Sequence, residues 1–221
     1  MNQKDISFLL LSSRVTEETS YDERRSSLAY DYVAYFERLD FTVIPVPCNT
    51  TQIENYFSIE PKAVVLTGGN TVSNHGPNEP PEKLPGVFIE RDLVERCLLA
   101  AAIERRIPVL GICRGMQMIN RFFGGRVRHD IKKHIGVDHR IESDSCPTIH
   151  GQTTNSFHGD GMNVEDIAEC LEIVALSNDG IVEAIAHNEH KIFGIQWHPE
   201  RQRQPFDDQL IHRLIREQEC P

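Results

Sequence analysis

PVLGICRGMQMIN, residues 108–120, decides the fold. Residues 108–112 are a short apolar run of strand type, and a helix-compatible run from Met116 to Phe123 follows, closing at Gly124-Gly125. Between them stands Gly111-Ile112-Cys113-Arg114-Gly115. Strand, sharp turn and helix in that order are the setting of a nucleophile elbow, here with Cys in place of Ser. The turn is tight, so flanking side chains would collide and glycine is needed on each side. It lifts the thiol out of the carboxyl edge of the sheet and sets it at a helix N-terminus, where the positive end of the dipole favours thiolate. Taken alone, G-x-C-x-G also suits a buried structural cysteine before a glycine-capped turn, so the rest of the chain has to decide.

Upstream, residues 6–11, 41–46 and 63–67 read as strands, the last ending abruptly in Gly68-Gly69. Ser26 is placed to cap a helix running to Leu39, with Leu28, Tyr32, Tyr35, Phe36 and Leu39 on one face. A long helix is expected over about residues 87–105, where Leu93, Cys97 and Ala101 recur at fourfold spacing. Strands alternating with helices imply parallel βαβ units. Downstream, residues 171–176, 181–186 and 191–197 are strand-like and separated by short turns, which predicts antiparallel hairpins. A last helix is expected over about residues 207–217. The fold class expected is α/β: a mostly parallel central sheet with helices on both faces, flavodoxin-like, plus a small antiparallel extension, all in one domain over residues 1–221. One segment breaks the pattern. Residues 70–86, NTVSNHGPNEPPEKLPG, are rich in Pro and Gly and nearly devoid of apolar residues, as in a lid or a surface insertion.

Composition narrows the function. The chain has 221 residues, 39% of them hydrophobic, enough for a core at this size. A formal net charge of -10 argues against nucleic acid as the main partner, because phosphate contacts need clustered Lys and Arg. The apolar stretch at residues 6–11 is too short for a signal peptide or a membrane span. The expectation is a cytoplasmic protein whose six scattered cysteines are mostly reduced. No metal site is expected, since His187-x-x-His190 lies in a hairpin turn with no third ligand in sight.

A cysteine nucleophile needs a base, and the base an orienting group. Gly194-Ile195-Gln196-Trp197-His198-Pro199-Glu200 offers both. In an extended chain residues i and i+2 project to one side, so His198 and Glu200 can act together. Alone, the pair also reads as a strand-end His with a solvated Glu. Acyl transfer needs two donors for the oxyanion. The amide of Arg114 follows the nucleophile, and the turn Gly68-Gly69 can supply a second, since ligands of open parallel sheets sit at the carboxyl ends of strands.

Together LTGGN (66–70), the elbow, FFGGRVRHDI (122–131), NSFH (155–158), DGIVEAI (179–185) and GIQWHPE (194–200) resemble, in order and spacing, the class I glutamine amidotransferase superfamily. Within it the chain is most similar to stand-alone γ-glutamyl hydrolases of the γ-glutamyl-γ-aminobutyrate hydrolase type, peptidase C26. The features pointing there are CRGMQ, the INRFFGG continuation, and Arg91-Asp92 before the elbow strand. The resemblance implies Cys113 as nucleophile, His198 as base and acid, Glu200 as orienting acid, and the amides of Gly69 and Arg114 as oxyanion donors. It implies substrate contacts from Gly68, Asn70, Gln117, Asn155, Ser156, Phe157 and His158, and no cofactor. The implied reaction is hydrolysis of a γ-glutamyl amide through a thioester, releasing glutamate and an amine. Gly159-Asp160 and His129 depart from the pattern of relatives where the leaving amine would be sensed, which leaves the triad untouched but puts γ-aminobutyrate in doubt. The partner expected is a small γ-glutamyl substrate, without nucleic acid or membrane; a homodimer stays open.

The competing reading is a glutaminase subunit that delivers ammonia to a partner synthetase. A basic stretch, Arg126, Arg128, His129, Lys132, Lys133, His134 and Arg140, either borders the pocket and draws an anionic, phosphate- or nucleotide-bearing leaving group, or is a solvated face.

Overall fold

In the computed structural model, which describes residues 6–75 and 83–217, a nine-stranded sheet spans both halves of the chain. Strands β1 (Phe8–Ser12), β4 (Thr42–Val46), β5 (Ala63–Leu66), β6 (Val109–Ile112) and β11 (Ile192–Ile195) are parallel, in the order β4-β1-β5-β6-β11. Beyond β11 the sheet continues antiparallel through β10 (Val182–His187), β9 (Leu171–Ser177), β7 (Ile135–Glu142) and β8 (Thr153–Phe157).

The parallel strands are apolar on both faces because helices cover both. On one face Leu9, Leu11, Val65, Leu110 and Ile112 pack with Tyr35 and Phe36 of α1 (Tyr30–Arg38) and Leu210 of α5 (Pro205–His212). On the other, Leu10, Val64, Leu66 and Val109 meet α2 (Ile53–Phe57), α3 (Ile89–Glu104) and α4 (Arg114–Phe122) through Phe57, Leu98 and Met118. Alternate residues of each strand therefore serve opposite layers.

Three features differ from expectation. Ser26 does not cap a helix: it lies in β3 (Glu23–Ser27), which pairs with β2 (Arg14–Glu18) in a separate two-stranded ribbon. Its hydroxyl accepts from the Cys48 amide (3.0 Å), and α1 begins at Tyr30. The ribbon escaped notice because it is mostly polar and exposed, with no apolar alternation to betray it. The antiparallel extension is also larger than three strands, because β7 and β8 are largely polar strands of the same kind. The last helix ends at His212 and continues as a π-helical turn over Arg213–Glu217.

Of the 70–86 segment, residues 76–82 lie outside the described residues. Its two stems are joined by a parallel bridge between Thr71 and Val87. Asn74 fixes the first stem by exchanging hydrogen bonds with the backbone of Val127 (2.8 and 3.0 Å). Cys48, Cys97, Cys113, Cys146 and Cys170 are free thiols, and Cys220 lies outside the described residues. Among the described residues no helix is long and apolar enough to cross a membrane.

Candidate active site

The elbow stands between β6 and α4. Cys113 has φ 54° and ψ −107°, a conformation that costs a non-glycine residue of order 1–3 kcal/mol and persists only where its surroundings impose it. The surroundings do so. The Cys113 amide donates to the carbonyl of Ile195 (2.7 Å), and its carbonyl accepts from the Gln117 amide (3.2 Å). A Cβ on Gly115 would fall on the Leu66 carbonyl, and one on Gly111 would come within 2.6 Å of Ile119 Cδ1. The turn is held between two strands and its own helix with room for hydrogen alone at both glycines.

The strand β11 runs into the segment that carries His198 and Glu200. Asn155 of β8 clamps the His198 backbone, accepting from its amide (3.0 Å) and donating to its carbonyl (2.8 Å). The imidazole Nδ1 then meets Glu200 Oε1 at 2.6 Å, with both side chains buried. The other side of the ring meets Cys113. Burial alone would raise the Cys113 thiol; the charge and hydrogen bond of His198 outweigh it and hold the thiol below its ordinary value. Burial opposes the charged imidazole too, but Cys113 and Glu200 push His198 up to about 9. Both shifts are in the direction of a thiolate–imidazolium pair backed by a carboxylate.

Tyr32 does more than fill the helix face on which the sequence places it. Its hydroxyl accepts from the Gly68 amide (2.8 Å) and lies against Glu200. With Gly68 so engaged, the amide of Gly69, at φ +81°, is the one left to the turn. Arg91, fully buried, holds that turn by donating to the carbonyls of Thr67 (2.7 Å) and Gly68 (3.2 Å) and to Asn70 Oδ1 (3.0 Å). Arg91 is itself paired with Glu95 (2.9 Å), and Glu95 and Asp92 both pair with the guanidinium of Arg114. One buried charge network thus ties both expected oxyanion residues, Gly69 and Arg114, to α3. The sequence signal for it was Arg91-Asp92.

The expected substrate residues divide. Gln117 donates to the Asp160 carbonyl (2.9 Å) and to Gln196 (3.3 Å) from the floor of the site. Phe157 stands edge-on to His198 (6.0 Å between ring centres), with Arg201 over its ring (4.7 Å). The side chain of Asn70 is spent on both backbone groups of Val15 (2.9 and 3.0 Å), and that of Ser156 on the carbonyl of His134 (2.6 Å), so only their main chains remain for a ligand. His158 is buried behind the site.

The basic stretch does not gather at the triad. Arg128 is paired with Asp166 and Glu165, and Arg140 with Glu142. The cations near the chemistry are Arg14 and Arg201. The guanidinium carbon of Arg14 lies 3.0 Å from where a Gly69 Cβ would stand, and its buried Nε has no hydrogen-bond partner among the described residues. Both arginines line a small cleft with Tyr32, Gly68, Gly69, His198 and Glu200. A larger cavity of about 760 Å³ between Cys48, Ile53, Leu93 and Cys97 includes none of these residues.

Residues 9–200 match the model of the Peptidase C26 family. The chain is 34% identical over 196 residues to the gamma-glutamyl-CDP-amidate hydrolase of Campylobacter jejuni, covering 88% of this chain and 90% of that one. It is 35% identical over 188 residues to the glutamine amidotransferase-like protein YvdE of Lactococcus lactis (76% and 78%). A candidate GMP synthase chain of Thermoplasma acidophilum has the same fold, with a TM-score of 0.67 over 96% of this chain and 94% of that one at 16% identity.

Proposed function

Because the chain belongs to the Peptidase C26 family, we propose that it hydrolyses a γ-glutamyl amide bond with Cys113 as nucleophile, His198 as acid and base, and Glu200 as orienting carboxylate. The observation that carries this is the meeting at the elbow of the Cys113 thiol, lowered by His198, with an imidazole held at 2.6 Å by the Glu200 carboxylate.

The Cys113 thiolate attacks the δ-carbonyl carbon, and the C=O π pair moves to oxygen. The amides of Gly69 and Arg114 donate to that oxyanion; removing one such donor typically costs about 10²–10³-fold in kcat. As the oxyanion collapses, the C–N bond breaks and the imidazolium of His198 gives its proton to the leaving nitrogen, so the amine departs neutral. A thioester remains. His198, now neutral, takes a proton from water, the hydroxide oxygen bonds to the acyl carbon, and the C–S bond breaks to give glutamate and the thiolate.

The finer proposal is that the leaving group is anionic. It is supported by Arg14 and Arg201 beside His198 and Glu200, a place for which the basic stretch was one candidate, and by the CDP-amidate substrate in the name of the Campylobacter relative. The test compares kcat/KM for glutamine, a γ-glutamyl amine with a neutral tail, and one with a phosphate-bearing tail, at low and high salt. Preference for the charged tail that weakens with salt is expected. Better turnover of glutamine, independent of salt, refutes it and favours a glutaminase subunit serving a synthetase. Loss of all turnover in Cys113→Ala tests the mechanism itself.

A further inference from the structure

Three segments bring three histidines around one carboxylate. His134 precedes β7, His139 lies within it, His158 follows β8, and Glu183 lies in β10. Glu183 is fully buried, His134 and His158 nearly so, and His139 is 14% exposed at its side chain. Glu183 Oε1 stands 3.1 Å from His139 Nε2, 3.6 Å from His158 Nε2 and 3.9 Å from His134 Nδ1. None of these four inward-facing atoms, nor Glu183 Oε2, has a hydrogen-bond partner among the described residues.

The outer nitrogens explain why. His134 Nε2 meets Asp179 Oδ2 at 3.0 Å, and His158 Nδ1 meets the carbonyl of Asp160 at 2.9 Å. Both partners are acceptors, so each ring must carry its proton outward. A neutral ring then turns a bare lone pair on the inner nitrogen toward a carboxylate that itself only accepts, so the pocket selects a cation: a second proton, which burial opposes and Glu183 favours at His158, or a metal ion in its place. Buried acceptors facing acceptors are strongly unfavourable unless something positive lies between them. The separations are too long for hydrogen bonds in two of the three cases. They are close to the edge of a tetrahedron around zinc, about 3.3 Å for bonds of about 2.0–2.1 Å. Metal-bound histidines characteristically have the far nitrogen held by a carboxylate or a backbone carbonyl, as here.

We propose that His134 Nδ1, His158 Nε2 and Glu183 bind a divalent transition-metal ion of the zinc type, with His139 Nε2 held against the far side of the Glu183 carboxylate. The inner atoms of the first three lie within 4.8 Å of one another. All three ligands are buried and none lines the cleft beside His198 and Glu200, so the ion is structural. It fastens β7, β8 and β10, and through β8 the Asn155 that clamps His198. The sequence pointed to no metal site because His134, His158 and Glu183 come from three separate segments far apart in the chain, whereas the spaced pair His187 and His190 has no third partner among the described residues.

The test uses the full chain. Metal content is measured by elemental mass spectrometry after purification, after stripping with a chelator, and after re-addition of zinc. Melting temperature is followed in parallel, and stripped protein is loaded with cobalt(II) to look for the visible absorption of a four-coordinate site. One equivalent of zinc is expected, with a melting temperature several degrees higher when loaded and a tetrahedral cobalt spectrum. Cys113→Ala should retain the equivalent, and Glu183→Gln and His139→Asn should lose or weaken it. Should Glu183→Gln fail to fold, the wild-type measurements decide. Wild-type protein that takes up no zinc and does not shift its melting temperature overturns the proposal. So does metal that is lost in Cys113→Ala but kept in Glu183→Gln, because it would then sit on the triad.

Discussion

Gly68→Ala offers a direct test of how tightly the base is placed. Gly68 is not held at positive φ, so alanine fits its backbone, and what changes is one methyl group. That methyl would lie 2.8 Å from His198 Cε1, 3.2 Å from the Tyr32 hydroxyl and 3.5 Å from Cys113 Cβ. Ordinary van der Waals contact begins near 3.4 Å, so the imidazole must retreat by about half an ångström or the turn must move by as much. The His198 backbone is clamped by Asn155 and its ring is tied to Glu200 at 2.6 Å, so the ring cannot retreat without loosening that bond. A misplacement of about 1 Å can cost 10²-fold, so half of that should cost roughly tenfold or somewhat more in kcat. Overpacking should cost about 1–3 kcal/mol of stability. The assay is kcat on a γ-glutamyl amide, with the rate of Cys113 alkylation by iodoacetamide, located by mass spectrometry, as a readout that needs no substrate. Both should fall while far-UV circular dichroism stays the same. Wild-type kcat and alkylation rate in a folded Gly68→Ala protein would refute the placement of His198 against this turn.

Other expectations follow from the same geometry. His198→Asn should cost about 10²–10⁴-fold in kcat, and Glu200→Gln less, since it orients the ring without touching substrate; equal losses in steady-state assays would give Glu200 a more direct role. The rate should fall on the acid side as the thiolate is protonated, and again above about pH 9 as His198 loses the proton destined for the leaving amine, read from kcat/KM against pH. Because the folded pKa of His198 is raised, its contribution to stability is complete below about pH 6.5 and is lost as pH rises through about 9; Cys113→Ala should shrink that loss in urea melts repeated across pH. Arg91→Met should destabilise by about 3–5 kcal/mol in urea melts, since it leaves Glu95 and the carbonyls of Thr67 and Gly68 short of a buried donor.

Most of the parallel half of the fold was legible because its strands are apolar runs and α1 shows a one-sided stripe; the short α2 was not anticipated, and α3 buries Arg91, Asp92 and Glu95 along with its apolar residues. The elbow was legible for a stronger reason: two glycines, a cysteine and an apolar strand are jointly demanded by a turn with no spare room, as the contacts at Gly111 and Gly115 bear out. What escaped has a common physical character. The ribbon of β2 and β3, and strands β7 and β8, are polar, and their pairing is a matter of backbone hydrogen bonds that leave no periodic mark in composition. Tyr32, Arg14, Asn155 and Glu183 are each unremarkable in their own segments. Their roles arise where a side chain from one element meets the backbone or charge of another: a hydroxyl on Gly68, a guanidinium over Gly69, an amide on both sides of His198, a carboxylate among three histidines. The proposed triad was readable because the turn carrying Cys113 and the strand end carrying His198 and Glu200 are each chemically unusual locally. The groups that hold it in place act only through tertiary contact. A variant of Asn155 should expose that difference: Asn155→Ala removes no reacting atom, yet leaves the buried amide of His198 unpaired and its carbonyl held only by the amides of Arg201 and Gln202. It should lower stability by about 1–3 kcal/mol and kcat together at every pH, whereas Cys113→Ala should abolish kcat and change stability only through the pH-dependent contribution of His198. Urea melts and steady-state rates on the two variants separate the cases, and an Asn155→Ala protein with wild-type stability would show that the clamp does not hold the base.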